Sequence, residues 1–567
     1  MEYKYENKIC QNCKNDFVIE PEDFLFYEKI KVPAPTFCPE CRYIRRLLDR
    51  NEYNLYKRKC NATGENIISI YRSDVLFPVY KQEYWKSDSW DALEYGRDFD
   101  FSKLFFDQYE ELRNVVPHLA MVNSNSVNSE YTNQSQNNKD CYMLFTSGDN
   151  EKSMYGSWCQ DNGYFLCDCY MAQKSEYCYE SINIKKCSRC MWIYDCSDCV
   201  DVYFSRDCRG CSDCFGCVGL RNKQYYFFNE NIGKDEYEKR VNKSVWNRSF
   251  INEMKLKFSK FNKDIPVKFY HGIQVQNSTG DYIENSQNMK LSFNCRDNKD
   301  TAYMQDVWKV EDCLDCTEIM NAQLCYEAQG IAIPNRSMFI RSCFNTITDS
   351  CYCDMCFNVQ NCFGCFGIRS KKYCILNKQY TKEEYFVLRD KIIEYMSRTK
   401  EWGEYFPSNL SPFSYNESMA QDYFPLTKEH AISKGYKWYD REPRDYGMTI
   451  STKDLPENIN NTDENIINEV IQCSSQNSLE EKQKYNLCAT AFKITPLELT
   501  LYKILNLPIP EKCFACRRQD RFTLRNPRKL YHSKCMNKDC INEFETSYSP
   551  ERPEIVYCEK CYQQEVY

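Results

Sequence analysis

Small apolar positions set the rhythm of the middle of this chain. Between Cys167 and Asn229, cysteines recur at a step of nine, as Cys169, Cys178, Cys187 and Cys196, and again as Cys190, Cys199, Cys208 and Cys217. Nine is neither the period of a helix nor the two-residue alternation of one strand. It suits a coil in which each turn presents the same residue at the same corner, as in a nonapeptide β-helix. The stretch closes on Cys214-Phe-Gly-Cys217-Val-Gly-Leu-Arg-Asn-Lys and returns 148 residues later as Cys362-Phe-Gly-Cys365-Phe-Gly-Ile-Arg-Ser-Lys. Cys316/Cys325, Cys353/Cys362 and Cys356/Cys365/Cys374 keep the same step. The pattern predicts two tandem Cys-rich β-solenoid units, over 121–230 and 271–378.

Helical patterns follow each unit. The first begins at Lys234-Asp-Glu-Tyr-Glu and runs to about Phe261, within a connector spanning 231–270. The second opens on the capping box Thr381-Lys-Glu-Glu384 and runs to about Arg398, within 379–400. An open solenoid end exposes unpaired strand edges, so a helix laid over it is expected. The aromatic run of 86–120, with Trp90, Tyr95, Phe101, Phe105 and Phe106, reads as a segment that buries rings against a solenoid's open end rather than as a ligand groove. Residues 401–469 form a Pro- and aromatic-rich linker, with a short helix after Pro425-Leu-Thr427 that stops at Gly435.

Composition narrows the function. The 567 residues carry a net charge of −7, which excludes a polycation that binds nucleic acid along its whole length. The 45 Tyr and 33 Phe argue against disorder. With no apolar run near 18 residues and no signal peptide, a cytoplasmic chain with no membrane partner is expected. Thirty-seven cysteines in that compartment point to metal ligation and buried thiols rather than disulfides. The four histidines, His118, His271, His430 and His532, leave little material for imidazole catalysis, and no enzyme and no small-molecule substrate are expected.

The ends carry metal-site spacing. Cys10-x2-Cys13, then 24 residues, then Cys38-Pro-Glu-Cys41 gives four thiolates for a tetrahedral Zn2+ with no position left for water, a structural rather than catalytic site. Cys13 to Cys60 aligns without a gap on Cys488 to Cys535, pairing Cys38 with Cys513, Cys41 with Cys516 and Arg46 with Arg521. At the position of Cys10 the second copy has Tyr485, so Cys473 is the expected fourth ligand beside Cys488, Cys513 and Cys516. Cys535, Cys540, Cys558 and Cys561 form a third set. In the first copy, Lys81 and Tyr84 stand where Cys558 and Cys561 would be, which leaves Cys60 a leftover thiol. About three Zn2+ per chain are expected, with the solenoid cysteines serving as small apolar filler and no metal between them.

The run Cys-x2-Cys-Lys-Asn-Asp-Phe, with Phe24, Tyr27, Pro33-Ala-Pro35 and Cys-Pro-Glu-Cys-Arg, resembles the probable zinc-ribbon family of treble-clef character. The resemblance implies zinc-ribbon modules over 1–85 and 470–567, so the chain reads as mainly β, with small α+β zinc modules flanking the solenoids. The whole layout, through Arg221-Asn-Lys-Gln-Tyr and Pro550-Glu-Arg-Pro-Glu-Ile-Val-Tyr-Cys-Glu-Lys-Cys-Tyr562, resembles a family of bacterial Cys-rich proteins with zinc-ribbon ends and a Cys-repeat middle. That second resemblance implies no activity.

Basic residues follow the knuckles: Arg42, Arg45, Arg46 and Arg50 at one end, Arg517, Arg518, Arg521, Arg525, Arg528 and Lys529 at the other. From Lys512 to Lys534, eight basic residues face one acid, Asp520, more than a zinc–thiolate centre needs for neutralisation. Arginine interleaved with Tyr and Phe suits phosphates and bases, so nucleic acid, as RNA or a ribonucleoprotein, is the first expected partner of a non-enzymatic zinc scaffold. Two alternatives stand beside it: a protein-interaction scaffold using the solenoid faces, and a thiol-redox or metal-handling protein using the solenoid cysteines.

Overall fold

The structure, a computed structural model, describes residues 5–242, 246–317, 325–330, 333–442, 446–478, 480 and 487–566. A three-residue beat governs the middle of the chain. Over long runs of 125–228 and 274–376 every third residue takes a left-handed φ, 55° at Asp168 and 52° at Arg189 for example. Each such residue turns a corner, and the residue after it points inward. An L-residue meets steric resistance there of about 1–2 kcal/mol, least for Asn and Asp, and this accounts for the Asn- and Asp-rich corners. Their side chains also ladder between turns: Asn183 Nδ2 donates to Asp195 at 2.7 Å, and Asn294 Nδ2 to Asp306 at 2.6 Å.

Four corners complete a turn. Ile182 lies opposite Tyr170 on one side and Tyr194 on the other, in parallel register, so the turn is twelve residues long and not nine. Nine is three corners out of four. A cysteine nine residues on therefore sits one turn later and one corner short, where its carbonyl receives the earlier thiol. Cys187 Sγ donates to Lys185 O at 3.5 Å and to Cys196 O at 3.7 Å. Same-corner neighbours are twelve apart, as in the buried column Ser175, Cys187, Cys199 and Cys211. Ser175 Oγ donates to Gln173 O at 2.8 Å and accepts from Cys187 N at 3.1 Å, so small hydroxyls and thiols fill the axis with their polar atoms satisfied.

The result is a mainly β body of parallel rungs over two stretches of chain, 123–231 and 272–379. After the first stretch come two helices, Lys234–Arg240 and Arg248–Lys263, where the sequence pattern predicts one; part of the interval, 243–245, lies outside the described residues. After the second comes Lys382–Arg398, with Thr381 and Glu384 forming the reciprocal capping box. The aromatic run lands on the last turns of the second stretch, with Phe105 against Phe363 at 5.5 Å and Trp85 against Phe357 at 5.3 Å. A Cβ on Gly96 would lie 2.6 Å from Asn377 O, so only glycine permits this approach. In the linker, Thr427 caps a short helix, Lys428–Ser433. Among the described residues no helix is long and apolar enough to cross a membrane.

Each terminal module pairs a hairpin with two helices: Pro21–Lys29 and Pro39–Leu48 at one end, Pro496–Leu505 and Phe514–Thr523 at the other. They dock crosswise. Tyr27 of the N-terminal module packs edge-on against Tyr326 of the second stretch at 5.3 Å, and Tyr502 of the C-terminal module against Tyr179 of the first at 5.8 Å.

Candidate metal centres and the helices they start

Cys10, Cys13, Cys38 and Cys41 come together, as do Cys473, Cys488, Cys513 and Cys516, and Cys535, Cys540, Cys558 and Cys561; within each group the sulfurs lie within 4.8 Å of one another. Each of these three groups can hold a metal ion. A tetrahedron with metal–sulfur bonds of about 2.3 Å has sulfur–sulfur edges of about 3.8 Å. Cys13 to Cys38 is 3.8 Å, Cys473 to Cys516 is 3.8 Å and Cys540 to Cys558 is 3.8 Å. Tyr485, which the alignment sets opposite Cys10, lies outside the described residues.

A backbone amide points at one sulfur of each group. Cys38 N donates to Cys10 Sγ at 3.3 Å, Cys513 N to Cys473 Sγ at 3.2 Å and Cys558 N to Cys535 Sγ at 3.3 Å, the same contact three times. Burial raises the Cys10 thiol, but the N–H groups around it prevail and bring it down to about 7. The knuckle without its partners keeps the same shape: Lys81 N donates to Cys60 Sγ at 3.4 Å, and Cys60 belongs to none of the three tetrads.

Cys38 and Cys513 are also the N-cap residues of Pro39–Leu48 and Phe514–Thr523. The candidate metal ligands therefore stand where each arginine-bearing helix begins and set which way its side chains point. Arg42 Nε donates to Asp315 at 2.8 Å, Arg46 Nη1 to the other oxygen of Asp315 at 3.3 Å, and Arg45 Nη2 to Glu327 at 2.5 Å. At the other end Arg517 Nε lies 2.8 Å from Asp168, Arg521 Nη1 donates to the other oxygen of Asp168 at 2.6 Å, and Arg518 Nη2 donates to Asp422 at 2.7 Å. Asp168 and Asp315 are both fully buried corner residues. Around them the contacts repeat: Tyr303 Oη donates to Asp23 at 2.8 Å, and Tyr155 Oη to Glu498 at 2.9 Å.

Of the ten basic residues expected at a nucleic-acid surface, Arg42, Arg45, Arg46, Arg50, Arg517, Arg518 and Arg521 are buried. Arg50 pairs with Glu52 at 2.6 Å, and Arg528 with Asp306 and Tyr43. Lys529 keeps 56% of its side chain exposed. Arg525 is held by Tyr170 Oη at 3.0 Å and Asp422 O at 3.3 Å, with its guanidinium 3.6 Å from the Phe522 ring centre; among the described residues no carboxylate pairs with it. The sequence gives no sign of Asp168, Asp315, Glu327 and Asp306 as the acids that receive these arginines, because they lie hundreds of residues away at ordinary corners.

Arg518, Arg525 and Arg528 line a cavity of about 790 Å3 between the two stretches, the linker and the C-terminal helix, with Tyr170, Tyr282, Tyr423 and Phe522 among its walls. Behind it, His271 Nδ1 lies 3.1 Å from both oxygens of buried Asp281 and its ring stacks on Tyr282 at 4.3 Å. Burial lowers the imidazole, but Asp281 outweighs it and raises His271 to about 9. A raised folded-state pKa adds stability in full below the unfolded value near 6.5, and that stability is lost as pH rises through about 9. The melting-temperature gap between wild type and His271→Gln should therefore shrink between pH 6.5 and 9; a gap that is flat over this range would show that the imidazole is neutral.

The chain matches no protein-family model and no curated protein.

Proposed function

We propose that the chain is a non-enzymatic zinc-binding scaffold: three Zn2+, one per cysteine tetrad, staple two zinc-ribbon modules of treble-clef type crosswise onto a Cys-filled double solenoid, and the assembled body engages a protein partner through its solenoid faces. The observation that carries this reading is the burial of the arginines. Charge that would grip phosphate is instead spent on Asp168, Asp315, Glu327 and Asp422 inside the molecule. Four cysteines per site leave no position for a reacting water, which supports a structural role for the metal.

The competing reading, a nucleic-acid contact, draws on Arg525 and Lys529 alone. The two separate in one titration. A protein that neutralises several phosphates loses RNA affinity with a log–log salt slope of about −0.7 per contact for single strands and −0.9 for duplexes. The scaffold reading expects no saturable binding of structured or single-stranded RNA, or a slope no steeper than two contacts give. Saturable binding with a slope of about −4 would sink it.

A further inference from the structure

We propose that Cys313, Cys316 and Cys325 form a fourth metal site, inside the rungs of the second stretch, that takes a thiophilic monovalent cation of the Cu(I) class. The three Sγ atoms lie within 4.8 Å of one another, and all three residues are fully buried. Cys313 and Cys316 approach to 2.8 Å, closer than two thiols pack at rest.

Inward thiols throughout the rungs reach carbonyls of their own or the next turn, Cys316 at 3.6 Å to Leu314 O and Cys313 at 3.8 Å to Cys325 O included. Cys190 (3.3 Å to Ser188 O and 3.6 Å to Cys199 O) and Cys353 (3.6 Å to Cys351 O and 3.7 Å to Cys362 O) do so without belonging to a group of three mutually close sulfurs. Those are packing sites. Among the described residues, the rungs hold one group of three mutually adjacent sulfurs, and this is it. It is not a by-product of the repeat, because the position in the first stretch equivalent to Cys313 is Leu166, also fully buried. Buried Met304 stands one turn before Cys316 in the same inward column, next to the Gln305–Thr317 bridge, and adds a thioether to the neighbourhood.

Ligand count selects the ion. Structural zinc takes four donors in a tetrahedron, as each terminal tetrad supplies. Three thiolates with a thioether nearby suit a soft d10 cation that accepts three-coordination, for which metal–sulfur bonds of about 2.3 Å place the sulfurs about 4 Å apart. Binding requires Cys313 and Cys316 to part from 2.8 Å to that edge. Binding releases the thiol protons.

The test uses the full-length, zinc-loaded, reduced protein, titrated anaerobically with Cu(I) against a chromogenic Cu(I) chelator, with a parallel Zn2+ titration and zinc release followed throughout. Cys313→Leu copies the natural residue of the other stretch. Cys325→Ser copies the serines at inward positions 175, 181 and 205, and serves if the first variant folds poorly. Cys353→Ser is the packing control. Wild type and Cys353→Ser should each hold one Cu(I) more than Cys313→Leu or Cys325→Ser, with zinc content unchanged and sulfur-only coordination by X-ray absorption. Equal Cu(I) in wild type and both triad variants, or copper gained only as zinc is lost, would overturn the site. A fourth Zn2+ that outcompetes Cu(I) and disappears in Cys313→Leu would overturn the monovalent assignment.

Discussion

Asp168→Asn should destabilise the full chain by about 3–5 kcal/mol, the cost of breaking a buried ion pair from one side. The carboxylate is fully buried and receives both Arg517 and Arg521, so its loss strands two guanidiniums; among the described residues Glu498, at 3.5 Å from Arg517, is the one carboxylate left to pair with either. Asparagine tolerates the left-handed φ of 55° at this corner, so the substitution adds no backbone strain. Asp315→Asn should behave alike, stranding Arg42 and Arg46. The control is Asp312→Asn, which removes an exposed pair with Lys29 and should change stability by less than about 1 kcal/mol. Chemical denaturation, read at the rungs and at the modules separately, gives the numbers. Asp168→Asn within 1 kcal/mol of wild type would mean that the arginines are not docked on it.

Metal removal should cost more. Structural zinc contributes about 10–16 kcal/mol to zinc-finger peptides, and under the proposed reading it would fix the helix start here as well. On the sequence alone Cys41→Ser would unfold the N-terminal module and spare the solenoids. The docking changes that expectation. With Pro39–Leu48 unseated, Asp315 and Glu327 lose Arg42, Arg45 and Arg46 and become buried unpaired acids within the rungs. In Cys41→Ser, or after stripping with a strong chelator, hydrogen exchange should therefore rise at 311–317 and 325–330 as well as in the module. Exchange confined to residues 5–85 would show that the module is an independent domain.

How legible all this was in the sequence depends on distance. The tetrads were readable because a Cys-x2-Cys knuckle is a local arrangement and the duplicated module points to Cys473. The rung period was not, because inward positions fall every third residue, so steps of nine and twelve both appear; Cys187 has cysteines at 196 and at 199. Only the pairing register separates them. The arginines could be counted but not placed. Asp168-Cys169 and Asp315-Cys316 are two of many Asp-Cys steps, among them Asp140-Cys141, Asp195-Cys196 and Asp207-Cys208, that simply mark the corner beat. Nothing local distinguishes the two that receive a helix from the others, and a basic helix read without them looks like a surface.

The crosswise docking also sets an order of folding. Rungs close through partners twelve residues apart, whereas Arg42 and Asp315 are separated by 273 residues and Arg521 and Asp168 by 353. Loop-closure entropy places such contacts last. The two crossings are not equivalent during synthesis. When the C-terminal helix leaves the ribosome its seat on the first stretch has long been made. The N-terminal helix emerges first and must wait for residue 315, roughly 15–55 s at 5–20 residues per second. For that interval Arg42, Arg45 and Arg46, buried in the finished protein, stand without Asp315 and Glu327, the acids that later receive them.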